Sequence, residues 1–282
     1  MDSKEFGLVA AQQLFKIESL HYGFWENSET ASIGGIVKAG EKHTSFLCEY
    51  IKEAVGDDKK AKILDAGCGT GVVTKKLLQM GYYADGLVPS NWMAKMAQEN
   101  TAPYKNNEKG TIYESTFEDF TISDATNKYQ VVFFSESYQY VDIQKSFDVL
   151  DLILSNTGAV IIFDFFKRDG VEGKSPLGGG HSIGKFYEAI ERNGFKIYKD
   201  LDVTSNLSPN LRLVSEILTD RILPLIETLD KFLSIRYKNT FKFFKFLFKK
   251  KLNKLKFKYS PERNQKSFDK FKTYRLIVIK KA

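Results

Sequence analysis

The chain has 282 residues, enough for one large domain with an insertion, and 43% of them are hydrophobic, which allows a substantial core. Two cysteines, Cys48 and Cys68, are too few for a disulfide framework and favour a reducing compartment. The net charge of +7 comes from one segment, because residues 236–258 hold ten cations and no acid, and removing ten from +7 leaves −3. The positive net charge therefore does not indicate that the protein as a whole binds nucleic acid.

Targeting signals are not visible in the sequence. The first residues, Met-Asp-Ser-Lys-Glu-Phe, lack the basic and apolar regions of a signal peptide. No window of about 18 uncharged apolar residues occurs, which is the length that a membrane-spanning helix requires. We therefore expect a cytoplasmic location.

A helical cap, with two helices joined by an aromatic turn, is predicted for residues 1–56. Apolar residues recur at helical spacing over residues 4–20 and again over residues 33–55. Between them, residues 20–26 read Leu-His-Tyr-Gly-Phe-Trp-Glu, a polar and aromatic turn.

A glycine-rich turn follows the cap, in the sequence Ala-Lys-Ile-Leu-Asp-Ala-Gly-Cys-Gly-Thr-Gly at 61–71. A short apolar run ends at Asp65, alternate glycines follow, and a stretch of helical composition comes next. This order predicts a buried strand, a tight turn and a helix, the opening unit of a doubly wound α/β fold. The spacing G-x-G-x-G differs from the dinucleotide fingerprint G-x-G-x-x-G. Asp65 would repel a diphosphate, but it suits a ligand with a positive group.

The segment Asp65-Ala66-Gly67-Cys68-Gly69-Thr70-Gly71 resembles motif I of the class I S-adenosylmethionine-dependent methyltransferases. The resemblance implies a Rossmann-like, mostly parallel seven-stranded sheet, with its core at 57–206 and its last strand at 273–282. It also implies S-adenosylmethionine as the cofactor. The motif residues that it places against the cofactor are Asp65, Gly67, Cys68, Gly69 and Gly71.

The aromatic turn carries a second part of the resemblance. Many small-molecule and lipid methyltransferases have a similar His/Tyr-Gly-aromatic-Trp turn, which folds over the methionine end of the cofactor. This implies that His21 and Tyr22 bind the methionine carboxylate and that Trp25 lies beside the cofactor. Packing in the protein core is the alternative for all three side chains.

The second predicted strand, within residues 82–91, departs from the family pattern. Most class I methyltransferases end this strand with an acid that binds the ribose hydroxyls, whereas this chain has Val88 there. A branch similar to the cyclopropane-fatty-acid synthases and some natural-product methyltransferases also lacks the acid and carries a serine nearby. Ser90 and Asn91 are therefore the predicted ribose partners, and they also resemble the N-cap of a helix at 91–100.

Residues 111–120 are predicted to form a short third strand and a loop, and the loop resembles the adenine loop of the family. Thr116, Phe117 and Glu118 occupy the places that this resemblance assigns to the cofactor. An aromatic ring lying on adenine is physically reasonable, since stacking adds affinity without hydrogen bonds. Burial of Phe117 under its neighbours is the alternative.

The fourth predicted strand, at 129–134, ends in polar residues. Open α/β sheets bind ligands at the carboxyl ends of their strands. We therefore expect Ser135 near the cofactor, and Glu136, Tyr138 or Tyr140 toward the substrate. A helix at 143–155, a turn at 156–158 and a buried strand at 159–165 are predicted next.

A glycine-rich loop at 167–182 precedes a helix at 182–193 and a strand at 194–204. It presents His181, whose imidazole would suit proton transfer near neutral pH. An exposed histidine at a helix start is the alternative.

Residues 207–272 are predicted to form a basic helical insertion, with helices at 209–236 and 239–257. The second helix would carry an apolar stripe with a lysine rim. We favour a lid that docks this stripe over the acceptor site. Peripheral contact with anionic lipid through 236–258 is the alternative, and a nucleic-acid surface ranks last.

These features predict an enzyme that transfers a methyl group from S-adenosylmethionine to a small lipophilic or aromatic acceptor. A nucleic-acid methyltransferase and a non-catalytic cofactor-binding module are the alternatives. The candidate catalytic residues are His181, Glu136 and Tyr138. No metal ligands are predicted, and the sequence leaves the acceptor atom and the oligomeric state open.

Overall fold

A computed structural model describes the chain at residues 7, 9–10, 12–13, 15–18, 21–27, 30–105, 110–122, 128–237 and 262–282. This described part holds one seven-stranded sheet flanked by helices. The strands are β1 (Lys62–Ala66), β2 (Tyr83–Leu87), β3 (Ile112–Tyr113), β4 (Tyr129–Ser135), β5 (Leu154–Lys167), β6 (Phe195–Asp202) and β7 (Lys272–Lys281). The helices are α1 (Ile36–Val55), α2 (Val72–Gln79), α3 (Asn91–Thr101), α4 (Ile143–Ile153), α5 (Ile183–Arg192), α6 (Thr204–Leu207), α7 (Pro209–Glu216), α8 (Leu223–Arg236) and α9 (Gln265–Phe271).

The strand order is β3-β2-β1-β4-β5-β7-β6. Strands β1 to β5 pair in parallel, whereas β7 runs antiparallel between β5 and β6. This topology confirms the predicted α/β class with a mostly parallel sheet. The chain order reverses at β1, so the carboxyl ends of β1, β2 and β4 meet at one edge, where ligands bind in such folds.

Both faces of the sheet are buried, which explains why its central strands are continuous apolar runs. In strand β7, successive side chains pack on opposite faces of the sheet. Ile277 and Ile279 pack with the cluster under α4 and α5. Leu276 and Val278 pack with the opposite cluster, which includes side chains of α1 and α2.

Short polar side chains fix three helix starts. Ser90 accepts a hydrogen bond from the backbone N–H of Met93 at the start of α3. Asp142 does the same for α4 and Ser182 for α5. These caps satisfy N–H groups that have no partner within the helix, and they set the bounds close to the predicted ones.

The predicted turn at 156–158 is wrong. Strand β5 begins at Leu154, directly after α4, and runs through this stretch. Leu154 pairs with Tyr129 of β4, and the ladder then shifts register before Val131. The next pair is Val131 with Ala159, so Asn-Thr-Gly lies at an irregularity in the pairing of β5 with β4.

The predicted helix at 209–236 is present but interrupted. A π-helical stretch at Ile217–Ile222 separates α7 from α8, and Pro224 lies in the first turn of α8. The predicted helix at 239–257 lies outside the described residues. None of the described helices combines the length and apolar character that a bilayer span requires.

Candidate active site

The glycine turn joins β1 to α2 and has one open position. Gly67, Gly69 and Gly71 all have positive φ angles, at 89°, 54° and 77°, which residues with a side chain rarely adopt. A Cβ atom on Gly67 would collide with the side chain of Ser137, and one on Gly71 would lie 3.1 Å from the Cβ of Ala97. A Cβ on Gly69 would meet no atom within 4 Å. Packing therefore requires Gly67 and Gly71, whereas Gly69 faces free space.

Cys68 does not present its thiol to this space. Its side chain is buried with Val88 and Ala94, and burial raises the pKa of the thiol. Its backbone N–H donates to the carbonyl of Leu87 at 2.9 Å. Cys68 therefore serves the turn mainly as a small apolar side chain.

Asp65 is buried at the end of β1. One of its oxygens accepts a hydrogen bond of 2.7 Å from the Thr74 hydroxyl in the first turn of α2. Burial raises the pKa of Asp65 to about 7, and the bond from Thr74 opposes this rise. A positively charged ligand group nearby would favour the ionised carboxylate, as the sequence pattern predicts.

His21 lies where the N-terminal turn meets α1. Its ring stacks on His43 with centroids 5.2 Å apart, and its buried Nδ1 has no hydrogen-bond partner within the described part of the chain. The ring borders a cavity of about 480 Å³ that residues 16–18, α1 and α2 also line. Burial lowers the pKa of His21 to about 4, so the imidazole is neutral at physiological pH. A ligand acceptor or donor could satisfy its free nitrogen.

Trp25 packs in the core rather than against an open site. It is buried with Ala39 and Leu213, and its indole N–H donates to Asn210 Oδ1 at 3.2 Å. Asn210 also accepts from the backbone N–H of Gly23 and donates to the carbonyls of Gly23 and Leu207. This single amide thus joins the N-terminal turn to α7.

We expect Asn210→Ala to destabilise the protein by about 2–4 kcal/mol, because it leaves several buried polar groups without partners. Urea unfolding followed by circular dichroism measures this loss. The control is Ser205→Ala, an exposed position on α6, where a change within about 0.5 kcal/mol is expected. Equal stability of the two variants would show that Asn210 does not hold the turn.

The edge beyond β2 carries an acid that directly follows the neighbouring strand. Val88, in the place of the usual strand-end acid, is buried. Its backbone N–H donates to the carbonyl of Tyr113, the last residue of β3, so Glu114 comes directly after that strand and beside Val88. Glu114 accepts a hydrogen bond of 2.7 Å from the side-chain amide of Asn91. A comparison of the sequence around β2 alone does not find Glu114. This residue is distant from Val88 in the sequence and comes beside it only through the pairing of β2 with β3.

The polar side chains of the predicted adenine loop are hydrogen-bonded to other protein groups. The Thr116 hydroxyl donates to Asp119 at 2.6 Å, and Glu118 accepts from the backbone N–H of Asp142 at 2.9 Å. Phe117 is buried, and its ring packs edge-to-face on Phe134 at 4.8 Å. The structure therefore places Phe117 in the core, as the alternative interpretation had it.

At the end of β4, Ser135 and Glu136 bond to residues distant in sequence. The Ser135 hydroxyl lies 3.1 Å from His43 Nε2 in α1. Glu136 Oε1 accepts from the Tyr274 hydroxyl at 2.8 Å and from the backbone N–H of Tyr22 at 2.9 Å. Glu136 has a φ of 55°, unusual for a residue with a side chain, and such outliers cluster at functional sites.

Burial raises the pKa of Glu136 to about 8, and the hydrogen bonds from Tyr22 and Tyr274 oppose this rise. Asp164, on β5, has its pKa raised to about 7, also by burial. Asp164 accepts from the backbone N–H of Gln139 at 3.0 Å, which fixes the loop after β4. Two carboxyl groups with raised pKa values thus lie at the carboxyl ends of adjacent strands, a pattern typical of proton-transfer sites.

Tyr138 does not point toward a substrate, and that prediction is corrected. The 3₁₀ turn at Tyr138–Tyr140 directs Tyr138 into the core, where its hydroxyl lies 2.9 Å from that of Ser146. Tyr140, two residues later, is 70% exposed. Tyr140, rather than Tyr138, is therefore the exposed tyrosine of this turn.

His181 is tied to the same turn. Its Nε2 lies 3.1 Å from the backbone oxygen of Tyr138, and its ring packs on the Tyr138 ring with centroids 5.7 Å apart. A histidine held in this way orders the loop before α5. The structure therefore does not bring His181 together with Glu136 as a second proton acceptor.

Comparison with known proteins agrees with this geometry. Residues 63–158 match a family model described as a methyltransferase domain. The match confirms the predicted methyltransferase, and S-adenosylmethionine is the cofactor of this family. No curated protein matches the sequence significantly.

Solved structures of small-molecule enzymes share the fold along nearly the whole chain. One is a candidate sarcosine dimethylglycine methyltransferase from Galdieria sulphuraria, at 17% identity and a TM-score of 0.71, with 97% of each chain covered. Another is geranyl diphosphate C-methyltransferase from Streptomyces coelicolor A3(2), solved with Mg²⁺, geranyl diphosphate and S-adenosyl-L-homocysteine. It has 14% identity and a TM-score of 0.68, and the match covers 96% of this chain and 92% of that one.

A third similar structure is the [4+2]-cyclase SpnF, at 16% identity and a TM-score of 0.67, covering 93% of this chain and 87% of that one. That protein is named for a cyclisation. The fold by itself therefore does not determine which reaction a chain catalyses.

Proposed function

We propose, on the premise that the chain carries a class I S-adenosylmethionine-dependent methyltransferase domain, that it methylates a small lipophilic or aromatic acceptor with S-adenosylmethionine. The observation that carries this proposal is the placement of open space at Gly69 and a half-buried Glu136 with a raised pKa at the same edge of the sheet. The cofactor would supply an activated methyl group, so the protein's main task is to align the reactants and exclude water.

The residues present fit such a cofactor. The free space at Gly69 allows close approach to the backbone, and Asp65 would favour the positive amino group of a methionine moiety. The unpaired nitrogen of His21 would suit the methionine carboxylate. Ser135 lies at the end of β4 beside them.

Ribose recognition is proposed to use Glu114 with Asn91 and Ser90, in place of a strand-end acid. Glu114 has a carboxylate beside Val88 and already orients the Asn91 amide. A carboxylate accepts hydrogen bonds from vicinal hydroxyls, whereas an amide accepts them less strongly.

Glu114→Gln should therefore weaken S-adenosylhomocysteine binding about tenfold, the loss of about one charge-assisted hydrogen bond. Titration calorimetry provides the measurement. Glu99→Gln, on the exposed side of α3, is the matched control and should bind as the wild type does. If both variants bind normally, Glu114 has no part in ribose recognition.

The acceptor is proposed to lie against an aromatic cluster beside Glu136. The Tyr22 ring lies 6.4 Å from that of Phe268 and 6.3 Å from that of Tyr274. The ring of Phe165 lies 5.9 Å from that of Phe268. Tyr22 and Phe165 remain partly exposed, so a lipophilic or aromatic molecule would find apolar contacts next to a proton acceptor.

The direct test uses methyl-labelled S-adenosylmethionine with three acceptor pools: prenyl diphosphates, N-methylated glycines and RNA. Label in a small-molecule product, absent when the wild type is replaced by Gly69→Ala, supports the proposal. Label retained on RNA would favour a nucleic-acid methyltransferase instead. Cofactor binding without transfer to any pool would favour a non-catalytic binding module.

A further inference from the structure

Helix α1 buries a histidine at a core position of its inner face. Four buried residues follow one another at steps of four, the spacing that puts side chains on one face of a helix, namely Ala39, His43, Leu47 and Ile51. Three of them are apolar, whereas His43 carries a polar imidazole and is 0% exposed. Burying a polar group destabilises a fold unless the group is hydrogen-bonded. The contacts of the imidazole therefore indicate why a histidine occupies this position.

The first contact of His43 is a hydrogen bond with Ser135 at the end of β4. Its Nε2 lies 3.1 Å from the Ser135 hydroxyl, and the serine is itself buried. Burial is the main reason why the pKa of His43 lies well below its usual value, so the ring is neutral at physiological pH. A neutral imidazole has one N–H donor and one acceptor nitrogen, and a hydroxyl both donates and accepts. Either tautomer can therefore complete the bond, which fixes the direction of the hydroxyl.

The second contact of His43 is with His21, which borders the cavity beside α1 and α2. The two rings stack with centroids 5.2 Å apart. Among the described residues, His21 lines the cavity and His43 does not. The His43 ring also packs on Phe163 of β5, with centroids 4.5 Å apart. His43 thus lies one layer behind the cavity wall, where it acts on a ligand only through its neighbours.

These two contacts join side chains that the proposed function assigns to the cofactor. In that proposal His21 binds the methionine carboxylate and Ser135 lies beside it. His43 bonds to one of them and stacks on the other. A serine side chain has three staggered rotamers, and a hydrogen bond from a buried ring favours one of them. A group that is already held in its binding orientation loses less conformational entropy when a ligand binds.

We propose that His43 is a positioning residue for cofactor binding, whose Nε2 holds the Ser135 hydroxyl in the orientation that the methionine part of S-adenosylmethionine requires. This inference rests on the proposed function, since it needs Ser135 to contact the cofactor. The alternative is that the His43 ring only fills space between His21 and Phe163. The two roles need different replacements, because space-filling needs a ring and positioning needs a polar atom at the place of Nε2.

Titration calorimetry with S-adenosylhomocysteine distinguishes the two roles. His43→Phe keeps a ring and removes the hydrogen bond, so binding should weaken about tenfold. His43→Gln loses the ring but brings an amide to the place of Nε2, so it should bind within about threefold of the wild type. His43→Asn is one methylene shorter and should bind as weakly as His43→Phe. Wild-type affinity in His43→Phe, with weaker binding in His43→Gln, would show a space-filling role and overturn the proposal.

A double-mutant cycle shows whether His43 acts through Ser135. Ser135→Ala should weaken binding about tenfold, and adding His43→Phe should cause no further loss, because the hydroxyl that His43 positions is gone. Losses that multiply to about a hundredfold would overturn the proposal. The matched control is Ser146→Ala, which removes another buried hydroxyl, bonded to Tyr138 under α4. It should bind S-adenosylhomocysteine as the wild type does.

Two results separate this inference from the proposed function. A wild type that does not bind S-adenosylhomocysteine would overturn both. Normal binding by the wild type, with unchanged affinity in Ser135→Ala, would overturn the inference alone. Circular dichroism reports whether each variant is folded. If His43→Phe does not fold, the comparison of His43→Gln with His43→Asn carries the test, since these two replacements have the same amide and differ only in reach.

Discussion

Gly69→Ala is expected to weaken S-adenosylhomocysteine binding by at least about a hundredfold, while the protein remains folded. The added Cβ meets no protein atom within 4 Å, so it occupies only the space that the cofactor would use. The positive φ of 54° adds strain of about 1–2 kcal/mol, which a stable domain tolerates. Titration calorimetry gives the affinity, and circular dichroism reports the fold.

Gly81→Ala separates the effect of strain from the effect of lost space. Gly81 has a φ of 87°, and a Cβ there would also meet nothing within 4 Å, but the residue lies at the far end of α2. The two variants should lose similar stability, and only Gly69→Ala should lose binding. Equal affinity for S-adenosylhomocysteine in both variants would contradict the assignment of the glycine turn to the cofactor.

The sheet and the glycine turn could be predicted because their signals are local. Continuous apolar runs indicate strands buried on both faces, and alternate glycines after a strand indicate a tight turn. The turn at 156–158 was predicted wrongly for the same reason, since only the pairing of Leu154 with Tyr129 reveals the strand. Local composition does not contain that pairing.

The contacts around Glu136 could not be predicted, because they join distant parts of the chain. Tyr274 is 138 residues from Glu136, and His43 is 92 residues from Ser135. The predicted strand ends indicate which residues lie at the edge of the sheet. They do not indicate whether each side chain points into the core or toward solvent. Tyr138 turns inward and Tyr140 outward because of one 3₁₀ turn, and nothing in the composition of that turn distinguishes the two tyrosines.

The helical insertion shows a different limit. The apolar faces of its helices predict that they pack against another surface, but they do not identify that surface. In α8 the apolar side chains are exposed, so the part of the domain that the structure describes is not that partner. The predicted lid over the acceptor site therefore stays a prediction for residues 239–257 alone, outside the described part.

The second large effect is expected at Glu136, whose raised pKa makes its ionised carboxylate a stronger base than that of an ordinary glutamate. Below about pH 8 the carboxyl group is mostly protonated and cannot accept a proton; above that pH it is ionised. The rate of methyl transfer should therefore rise as the pH increases through the pKa of Glu136. Glu136→Gln should lower kcat by about 10²–10⁴-fold and abolish this rise, because an amide accepts no proton.

The bond from Tyr274 provides a sharper form of this test. The tyrosine hydroxyl stabilises the ionised carboxylate and so lowers the pKa of Glu136. Tyr274→Phe should consequently move the pH–rate profile to higher pH while keeping its shape, whereas a merely structural role would lower the rate at every pH alike. Calorimetry with S-adenosylhomocysteine should give wild-type affinity for both variants. A pH-independent rate in the wild type, or a normal profile in Glu136→Gln, would exclude Glu136 as the proton acceptor and direct the search to Asp164, a carboxyl group with a raised pKa on the adjacent strand.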